Sequence, residues 1–549
     1  MTAVDQIDQP RFLLTIDGTA LICSPCRARP QQQRGTKAGS GRQRRFANGR
    51  IHSDTSQARV AFEEGVQRMI LASREPRRHW PHRLTLALAL GLLGASAFTQ
   101  AATPAPDPGA PLPYVIGLHE AYLTPDYWAA RLDNADAPIL DRAQINAQNA
   151  RMRAQDSHIQ DIATLPAQLS ATQVRDSIVA LSSWPKRALY DQKGQAIAPG
   201  LRAAIEAHLG LDAVPAQVAP SYGLVVKRAA LRTFPTRQRV FSTVGDTDID
   251  RFQESALFPG DKVAVVHRST DGRWLFVHSE RYSAWIEADA VASGDKATVL
   301  GYGAKGPYRI VTAATAHTAY TPEEPRVSRL QLDMGVRLPV LADWPSAEPV
   351  NGQQAHASWV VQLPVREADG RLKLMPALLP RSQDTAADYL PLTPRLLLQQ
   401  SFKFLGERYG WGHDYDTRDC SGFVSEIYRS FGVLLPRNTS AQAISPALDR
   451  LPFTSKDGKA VRDRAVTDLQ VGDLVYIPGH VMMAIGHVDG RTWVIHDTAG
   501  GSWFGADGKR VQAHLNGVSV TPLEPMMASD SVRYIDRITN IQRLRAKNP

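Results

Sequence analysis

The spacing of apolar residues changes between a helical and a strand-like period several times along this chain. Leu398, Phe402 and Leu405 recur every three or four residues, which predicts a helix that begins at Thr393-Pro394 and ends at Gly406. A threonine cap followed by proline at the first helical position is a typical helix start. The residues just before this helix are expected to lead into a separate C-terminal domain, over residues 388–549.

A second helix is predicted after the polar stretch that follows Gly406. Apolar residues from Phe423 to Phe431 recur at helical spacing, and Gly432 ends the pattern. Asp419 is therefore expected at the helix cap, with Cys420 in the first turn. Free backbone N–H groups and the positive end of the helix dipole favour a thiolate at that place.

Beyond residue 470 the period becomes two. Apolar runs at 474–477, 481–485 and 493–497 predict three strands. A helical pair packed on an antiparallel sheet is an α+β arrangement, and this is the fold expected for the C-terminal domain.

The chain before this domain divides by its pattern. Residues 102–220 show helical spacing without a cluster of His, Asp or Cys, which predicts a structural helical segment. Residues 221–296 and 297–387 contain several short strands separated by turn signals, a pattern typical of small β-barrels. The expected fold class is multidomain: a helical N-terminal segment, two small all-β barrels and a C-terminal α+β domain.

Positive charge is concentrated at the N-terminus. Residues 1–83 hold fifteen Lys and Arg against seven Asp and Glu, a net of +8 within a formal total of +9. The rest of the chain is near neutral, which argues against nucleic acid as a partner. Four arginines before Leu84 precede an apolar run to Phe98 and small residues up to Ala101, the arrangement of a secretory signal.

Residues 69–101 are therefore predicted to be a signal peptide, and residues 1–68 a disordered or mis-assigned extension. The apolar run is short for a membrane anchor, which is the alternative, and no cysteine follows it as a lipid anchor would require. A periplasmic monomer without a stable membrane span is expected. Cys23 and Cys26 in the extension form an isolated CxxC, a weak signal for metal or redox chemistry.

Cys420 is the one cysteine of the predicted exported part, so it has no partner for an internal disulfide. In an oxidising compartment an unpaired thiol is a hazard unless it is buried or reactive, and the count alone leaves both alternatives open. A nucleophilic thiol needs a base, and the base needs an orienting partner. His480, at the start of one predicted strand, and His496, in the next, are the candidates.

The turn between these two strands decides whether the histidines share a face of the sheet. A two-residue turn at Asp489-Gly490 would place them on opposite faces. A three-residue loop at 488–490, with Gly490 in the left-handed region, would place them on the same face. We expect the three-residue loop, because glycine stands at its third position.

Each histidine also has a plainer interpretation. His480 follows a Pro-Gly pair and fits an exposed loop, His496 fits a hydrogen-bonded sheet residue, and His413 fits a solvated position. A zinc site built from Cys420 and the two strand histidines is disfavoured, because no carboxylate or second cysteine has ligand spacing near them. Neither a metal nor a cofactor is expected.

Six short motifs follow one another in the last domain. They are Tyr409-Gly-Trp-Gly, Arg418-Asp-Cys-Ser-Gly-Phe, Leu435-Pro-Arg-Asn, Gly472-Asp-Leu-Val, Gly479-His-Val and Val494-Ile-His. Together they resemble the NlpC-type papain-like cell-wall peptidases. Upstream, Gly260-Asp261, Asp271-Gly-Arg-Trp274 and Ala284-Trp285 resemble the pattern of bacterial SH3 domains. The exported chain is similar to the subgroup with an N-terminal helical clip, two SH3-like domains and a C-terminal peptidase.

The resemblance implies hydrolysis of the γ-D-glutamyl–diamino acid bond in peptidoglycan stem peptides or muropeptides. It implies that Cys420 is the nucleophile, His480 the base and His496 its orienting partner. Tyr409 matches the family tyrosine beside the thiol, where it would stabilise the oxyanion together with the Cys420 amide.

The resemblance also implies contacts with the substrate. Asp419 and Ser421 match positions that meet the free amine of the first alanine of the stem peptide, and a carboxylate at a pocket wall selects an ammonium group. Ser440, or Thr439 beside it, and Trp411 are further candidates for substrate binding. Tyr282 and Trp285 are expected to form a wall that closes the cleft; barrel core for Trp285 and an exposed strand for Tyr282 are the alternatives.

Two other functions remain open at this point. One is a thiol amidase or acyltransferase that uses Cys420 and His480 on the same fold. The other is a non-catalytic peptidoglycan-binding protein, in which the SH3-like pair binds the wall. The complete set of one cysteine and two histidines argues against the second.

Overall fold

The architecture is taken from a computed structural model that describes Gly109 and residues 111–545. The predicted extension 1–68, the predicted signal peptide 69–101 and the CxxC pair lie outside these residues. Within 111–545 no helix combines the length and the apolar character that crossing a membrane requires.

The helices lie mainly at the two ends of the described chain. They are α1 Pro125–Ala129, α2 Arg142–Gln155, α3 Ala171–Leu181, α4 Pro199–Ala207, α5 Lys296–Gly301, α6 Pro394–Phe402, α7 Cys420–Ser430, α8 Thr439–Ile444 and α9 Lys459–Thr467. Helix α6 begins with Thr393, whose side chain accepts a hydrogen bond from the amide of Leu396, as the Thr-Pro start predicts.

The strands before residue 300 form one sheet, apart from the short pair β1 Leu169–Ser170 and β2 Gln217–Val218. They are β3 Ser221–Val225, β4 Ala229–Arg232, β5 Gln253–Leu257, β6 Lys262–Arg268, β7 Trp274–His278, β8 Ser283–Glu287 and β9 Val291–Gly294. The sheet is antiparallel in the order β5-β4-β8-β7-β6-β3-β9. Apolar side chains of the sheet, among them Leu231, Val263 and Ile286, form a buried core, as expected of the first barrel.

The next region is built from short antiparallel sheets in the orders β13-β10-β16, β11-β12 and β14-β15. Its strands are β10 Tyr308–Val311, β11 Thr315–His317, β12 Gln331–Asp333, β13 Arg337–Pro339, β14 Ser358–Arg366, β15 Leu372–Pro380 and β16 Thr385–Ala386. The long β14–β15 pair contributes Val361, Leu363 and Leu379 to a separate apolar core.

The C-terminal domain has a six-stranded antiparallel sheet in the order β17-β24-β18-β19-β20-β23. Its strands, with the outlying hairpin β21–β22, are β17 Asp449–Pro452, β18 Leu474–Ile477, β19 His480–Val488, β20 Arg491–Thr498, β21 Gly501–Phe504, β22 Arg510–Ala513, β23 Gly517–Pro522 and β24 Asn540–Arg543. Helix α7 packs on this sheet with Phe423, Val424 and Ile427 fully buried. The α+β arrangement expected for this domain is therefore present.

The helical N-terminal segment packs in two separate parts. Tyr122 and Trp128 lie against Trp493 of the C-terminal sheet, with ring centroids 4.8 and 6.1 Å from that indole. Farther along, Val174 and Ile178 of α3 belong instead to the core of the first barrel. The segment therefore joins the C-terminal sheet to the barrel rather than forming a core of its own.

A buried ion cluster connects the second β region to the C-terminal domain. The guanidinium of Arg418 is fully buried and lies 3.0 Å from Asp333 and 3.0 Å from Glu426, and it also pairs with Glu407. Removing one partner of a buried ion pair typically costs about 3–5 kcal/mol. Arg418, which directly precedes Asp419, is thus bound by carboxylates of both the second β region and the C-terminal domain.

Candidate active site

The hairpin β19–β20 places two histidines side by side. Val488 pairs with Arg491, so the connection is the two-residue turn Asp489-Gly490, whose φ angles are 52° and 70°. The expectation of a three-residue loop is therefore wrong. Two positive φ angles are the geometry of a type I′ turn, which Asp-Gly favours.

The shared face arises from a β-bulge instead. The register shifts between Ala484 and Gly486, so Ile485 is an extra residue on β19. This extra residue reverses the alternation beyond it and returns His480 to the face that holds His496. Their imidazoles then meet, with Nε2 of His480 2.7 Å from Nδ1 of His496.

His496 is anchored on its other side. Its Nε2 lies 2.9 Å from the Thr521 hydroxyl on β23, and the ring is fully buried. If Nε2 of His496 donates to Thr521, its Nδ1 accepts from Nε2 of His480. This assignment leaves Nδ1 of His480 unprotonated and able to accept a proton.

The N-terminus of α7 places Cys420 next to the start of β19. Asp419 is the N-cap, and its Oδ1 accepts from the amide of Gly422 at 2.8 Å, as predicted. The Cys420 Sγ lies 3.5 Å from the Thr439 hydroxyl, and the backbone amide of Val481, next to His480, points to the thiol. The start of α7 and the start of β19 therefore lie next to each other at the Cys420 thiol.

Burial governs the protonation of both groups. Cys420 is 5% exposed, and burial together with the charge of Asp419 raises the pKa of its thiol to about 12. The expectation that the helix dipole yields a resting thiolate is therefore wrong, because desolvation outweighs the dipole here. Burial also lowers the pKa of His480 to about 4, so this imidazole is neutral at pH 7.

Tyr409 lies close to the thiol. It is 8% exposed, and burial together with the proximity of Cys420 and Asp419 raises the pKa of its phenol well above the ordinary value. The phenol therefore keeps its proton and remains a hydrogen-bond donor.

Asp419 is more constrained than its sequence position indicates. Its two carboxylate oxygens accept from both terminal nitrogens of Arg437, at 3.1 and 2.9 Å, and Ser421 Oγ donates to Oδ1 at 3.1 Å. The amide of Gly412 adds a further bond to Oδ2 at 3.1 Å. Arg437 holds the pKa of Asp419 at about 2 despite burial, so the group is a carboxylate whose charge is already paired.

The two residues expected to form the cleft wall lie in different environments. Trp285 is fully buried in the core of the first barrel, so its place in a wall is wrong. Tyr282 precedes β8 and is half-buried, and its hydroxyl donates to Glu254 at 2.6 Å and lies beside Asn438. Tyr282 therefore stands between the barrel and the segment that leads into α8.

The two remaining candidates differ in exposure. The half-buried indole of Trp411 donates to the Gln253 carbonyl at 3.0 Å, which ties the loop before α7 to strand β5. Ser440 is exposed on the first turn of α8, one residue after Thr439.

Comparisons with known proteins agree with this geometry. The sequence profile of the NlpC/P60 family matches residues 406–522, the span that holds Cys420, His480 and His496. The C-terminal domain is an NlpC/P60 domain. The profile of the SH3 domain of SH3b1 type matches residues 239–287, within the first barrel. The predicted family resemblance, the multidomain fold class and the assignment to a peptidase family are confirmed.

One curated relative matches part of the chain. A γ-D-glutamyl-L-lysine dipeptidyl-peptidase of Bacillus cereus is 28% identical over 259 residues, which is 44% of this chain. The match covers 66% of the length of that relative.

Among solved structures, an NlpC/P60 endopeptidase from Photobacterium damselae subsp. piscicida has a TM-score of 0.59 and 18% identity, and covers 75% of this chain and 92% of its own. This likeness concerns the fold alone. An NlpC/P60 family protein from Bacillus cereus has a TM-score of 0.40 and 20% identity, and covers 59% of this chain and 100% of its own.

Three polar residues near the candidate site were missed or misassigned in the sequence analysis. His413 is 3% exposed rather than solvated, so that interpretation is wrong. Arg437 lies in the Leu-Pro-Arg-Asn motif, yet the motif alone does not show which carboxylate it meets. Glu254 comes from the SH3-type barrel, and the alternation of strand β5 carries no signal for a site 165 residues farther along the chain. Among the residues from 111 to 545, no group of three or more His, Cys, Asp or Glu could hold a metal ion.

The buried thiol leads to a labelling prediction. Iodoacetamide is expected to alkylate Cys420 of the free protein slowly at pH 7, with a rate that rises steadily to at least pH 9.5, because a thiol with a pKa near 12 is almost entirely protonated below it. The rate is measured by mass spectrometry of the proteolytic peptide that contains Cys420, which distinguishes this thiol from Cys23 and Cys26, across this pH range. A fast rate that is already constant from pH 6 to 9 would contradict it and indicate a resting thiolate.

Proposed function

We propose that the protein is a cysteine endopeptidase that hydrolyses the γ-D-glutamyl–diamino acid bond of peptidoglycan stem peptides. The observation that carries this proposal is the 2.7 Å contact between His480 and His496, on the strand start next to Cys420. The name of the Bacillus cereus relative supports the substrate class. The predicted signal segment supports secretion to the periplasm, where such peptides occur.

The first chemical step follows from the protonation states. The neutral His480 takes the proton of the Cys420 thiol on Nδ1 as the sulfur attacks the scissile carbonyl carbon. The carbonyl electrons move to oxygen, and the Cys420 amide and the Tyr409 hydroxyl, which lies close to the thiol, donate to that oxyanion in this proposal. The transfer has to be concerted with the attack, because an imidazole with a pKa of about 4 does not deprotonate a thiol with a pKa of about 12 in a separate step.

The remaining steps use the same groups. His480 returns its proton to the amine of the diamino acid as the carbon–nitrogen bond breaks, which leaves a thioester on Cys420. A water molecule then loses a proton to His480 and attacks the thioester, and the thiol leaves with that proton. His496 keeps the imidazole of His480 in the orientation and tautomer that these transfers need.

The N-terminal end of the substrate would meet acidic groups at the SH3-type barrel. Tyr282 donates to Glu254, and the phenol also experiences the charge of Arg437, the partner of Asp419. A free ammonium is the group that such a wall would accept, whereas a bulky glycan attached at that nitrogen would remove the charge.

Competition between two substrates tests this proposal. We expect strong preference for a free Ala-γ-D-Glu-diamino acid peptide over the same peptide linked to a lactyl-glycan. Glu254→Gln should reduce this preference more than it reduces kcat on the free peptide, because the amide keeps the size of the side chain and loses its charge. The measurement is kcat/KM for both substrates, with Glu280→Gln as a matched control on the same barrel.

Equal rates of cleavage on free and glycan-linked peptides would contradict the proposal that the barrel closes the end of the cleft that receives the N-terminus of the substrate. The SH3-type barrel would then be better explained as a module that binds the wall.

A further inference from the structure

The loop Trp411–Asp416, directly before α7, has an unusual backbone. Gly412, His413, Tyr415 and Asp416 all have φ between 58° and 66°. Such angles are uncommon for residues other than glycine, and they persist only where surrounding contacts impose them. Gln253 of the first barrel supplies one such contact, since its side-chain amide donates to the Gly412 carbonyl at 2.8 Å.

His413 is the loop residue that points inward. Its Nδ1 lies 2.8 Å from a terminal nitrogen of Arg437, and its Nε2 lies 2.8 Å from Oε1 of Glu426. A guanidinium can only donate, so Nδ1 must accept and Nε2–H must donate to the carboxylate. Burial and the adjacent Arg437 also hold the pKa of His413 well below its ordinary value. The imidazole is therefore neutral, with a single tautomer.

This chain of contacts begins and ends on one helix. Glu426 lies in the second turn of α7, and Arg437 leads back to Asp419, the N-cap of the same helix. The Nε atom of Arg437 also donates to the Ser255 hydroxyl at 2.7 Å, so the first barrel holds the guanidinium from another side. The contacts span the turn that carries Cys420.

His413 is also packed closely against the start of α7. A Cβ atom added to Gly422 would stand 2.5 Å from Cε1 and 2.9 Å from Nε2 of His413. The imidazole therefore lies directly against the backbone of the first helical turn. No larger residue fits at position 422 without displacing the ring.

We propose that His413 is a positioning residue of this active site: its unprotonated Nδ1 orients Arg437 against Asp419 and so fixes the helix start that carries Cys420. The inference deepens the proposed function and rests on it for its activity readout. His413 touches neither the thiol nor the strand histidines in this arrangement, so its action is indirect.

Three substitutions separate the two hydrogen bonds of the imidazole, provided that thermal midpoints are compared, because asparagine also tolerates the φ of 66° at this position better than glutamine or leucine. In His413→Asn the amide oxygen stands as many bonds from Cβ as Nδ1 does, so it can accept from Arg437. In His413→Gln the amide nitrogen reaches toward the place of Nε2, so the bond to Glu426 is the one it can keep. His413→Leu removes both bonds at similar volume.

We expect His413→Asn to keep kcat within about tenfold of the wild type, and His413→Gln and His413→Leu to lose about 10²-fold, the typical result of a displacement near 1 Å. Thermal midpoints are measured alongside. Alkylation of Cys420 by iodoacetamide at pH 9 gives a readout that needs no substrate, and it should be faster in the Gln and Leu variants than in the Asn variant. Because it needs no substrate, this readout tests the role of His413 even if the proposed peptide is not cleaved.

Equal kcat values for His413→Asn and His413→Leu would overturn the proposal. It would also be overturned if His413→Gln kept its kcat while His413→Asn lost it. A second variant covers the case in which His413→Leu does not fold. Gly422→Ala removes no polar group and raises helix propensity, yet it should lower kcat by about 10²-fold by pushing the imidazole away. Gly200→Ala is the matched control, because an added Cβ there meets no atom within 4 Å. Wild-type activity of Gly422→Ala would overturn the proposal.

Discussion

Cys420→Ala is expected to lower kcat/KM on the γ-D-glutamyl peptide by at least about 10⁴-fold, because the covalent route has no other nucleophile at the helix start. Cys420→Ser should lose a comparable factor, since a hydroxyl ionises less readily than a thiol and His480 is a weak base in its buried setting. Both variants should remain folded, because neither replacement is larger than the thiol. Steady-state kinetics and the thermal midpoint are the measurements.

Thr439→Val provides the matched control for this result. It removes the hydroxyl that lies 3.5 Å from Sγ and leaves the nucleophile in place. A loss of about tenfold or less is expected, typical of a single neighbouring hydrogen bond. Near wild-type activity of Cys420→Ala would refute the nucleophilic role of this thiol.

The second large effect is expected at His480. His480→Ala should reduce kcat/KM by about 10⁴-fold, since it removes the group that receives and returns the proton. His496→Ala should cost less, because His496 orients the imidazole and transfers no proton to the substrate. The values of kcat/KM and the thermal midpoints of both variants are compared under identical conditions.

Thr521→Val completes the series. It deletes the hydrogen bond between His496 and Thr521 and should have the smallest effect on kcat/KM. The predicted loss of kcat/KM is therefore largest for His480, smaller for His496 and smallest for Thr521. A greater loss for His496→Ala than for His480→Ala, at equal thermal midpoints, would mean that the two histidines have exchanged roles.

Local chemistry explains what was predictable from the sequence. The cap at Asp419, the helix end just before Gly432 and the strands around His480 and His496 depend on neighbouring residues, so their signals lie within a few positions. The end predicted at Gly406 is wrong, because α6 already ends at Phe402. The family motifs add specificity because they recur at compatible spacings. The coarse fold and the candidate nucleophile could therefore be obtained without coordinates.

The rest depends on contacts between distant parts of the chain. The bulge at Ile485 restores the shared face of the histidines, and the sequence analysis did not use its one local signal, Gly486 within the strand pattern. The protonation of Cys420 depends on how completely the folded domain removes water from the thiol, which a helix cap alone does not determine. His413 was misassigned for the same reason, because its partners Glu426 and Arg437 lie 13 and 24 residues away.

Product analysis of defined peptides tests the central claim most directly. The full chain is incubated with Ala-γ-D-Glu-diamino acid peptide, with its isomer linked through the α-carboxyl, and with the Cys420→Ala variant in parallel, and the products are identified by mass spectrometry. We expect Ala-γ-D-Glu and the free diamino acid from the γ-linked peptide alone, and no product from the variant. Cleavage at another bond, or equal cleavage by Cys420→Ala, would contradict the account.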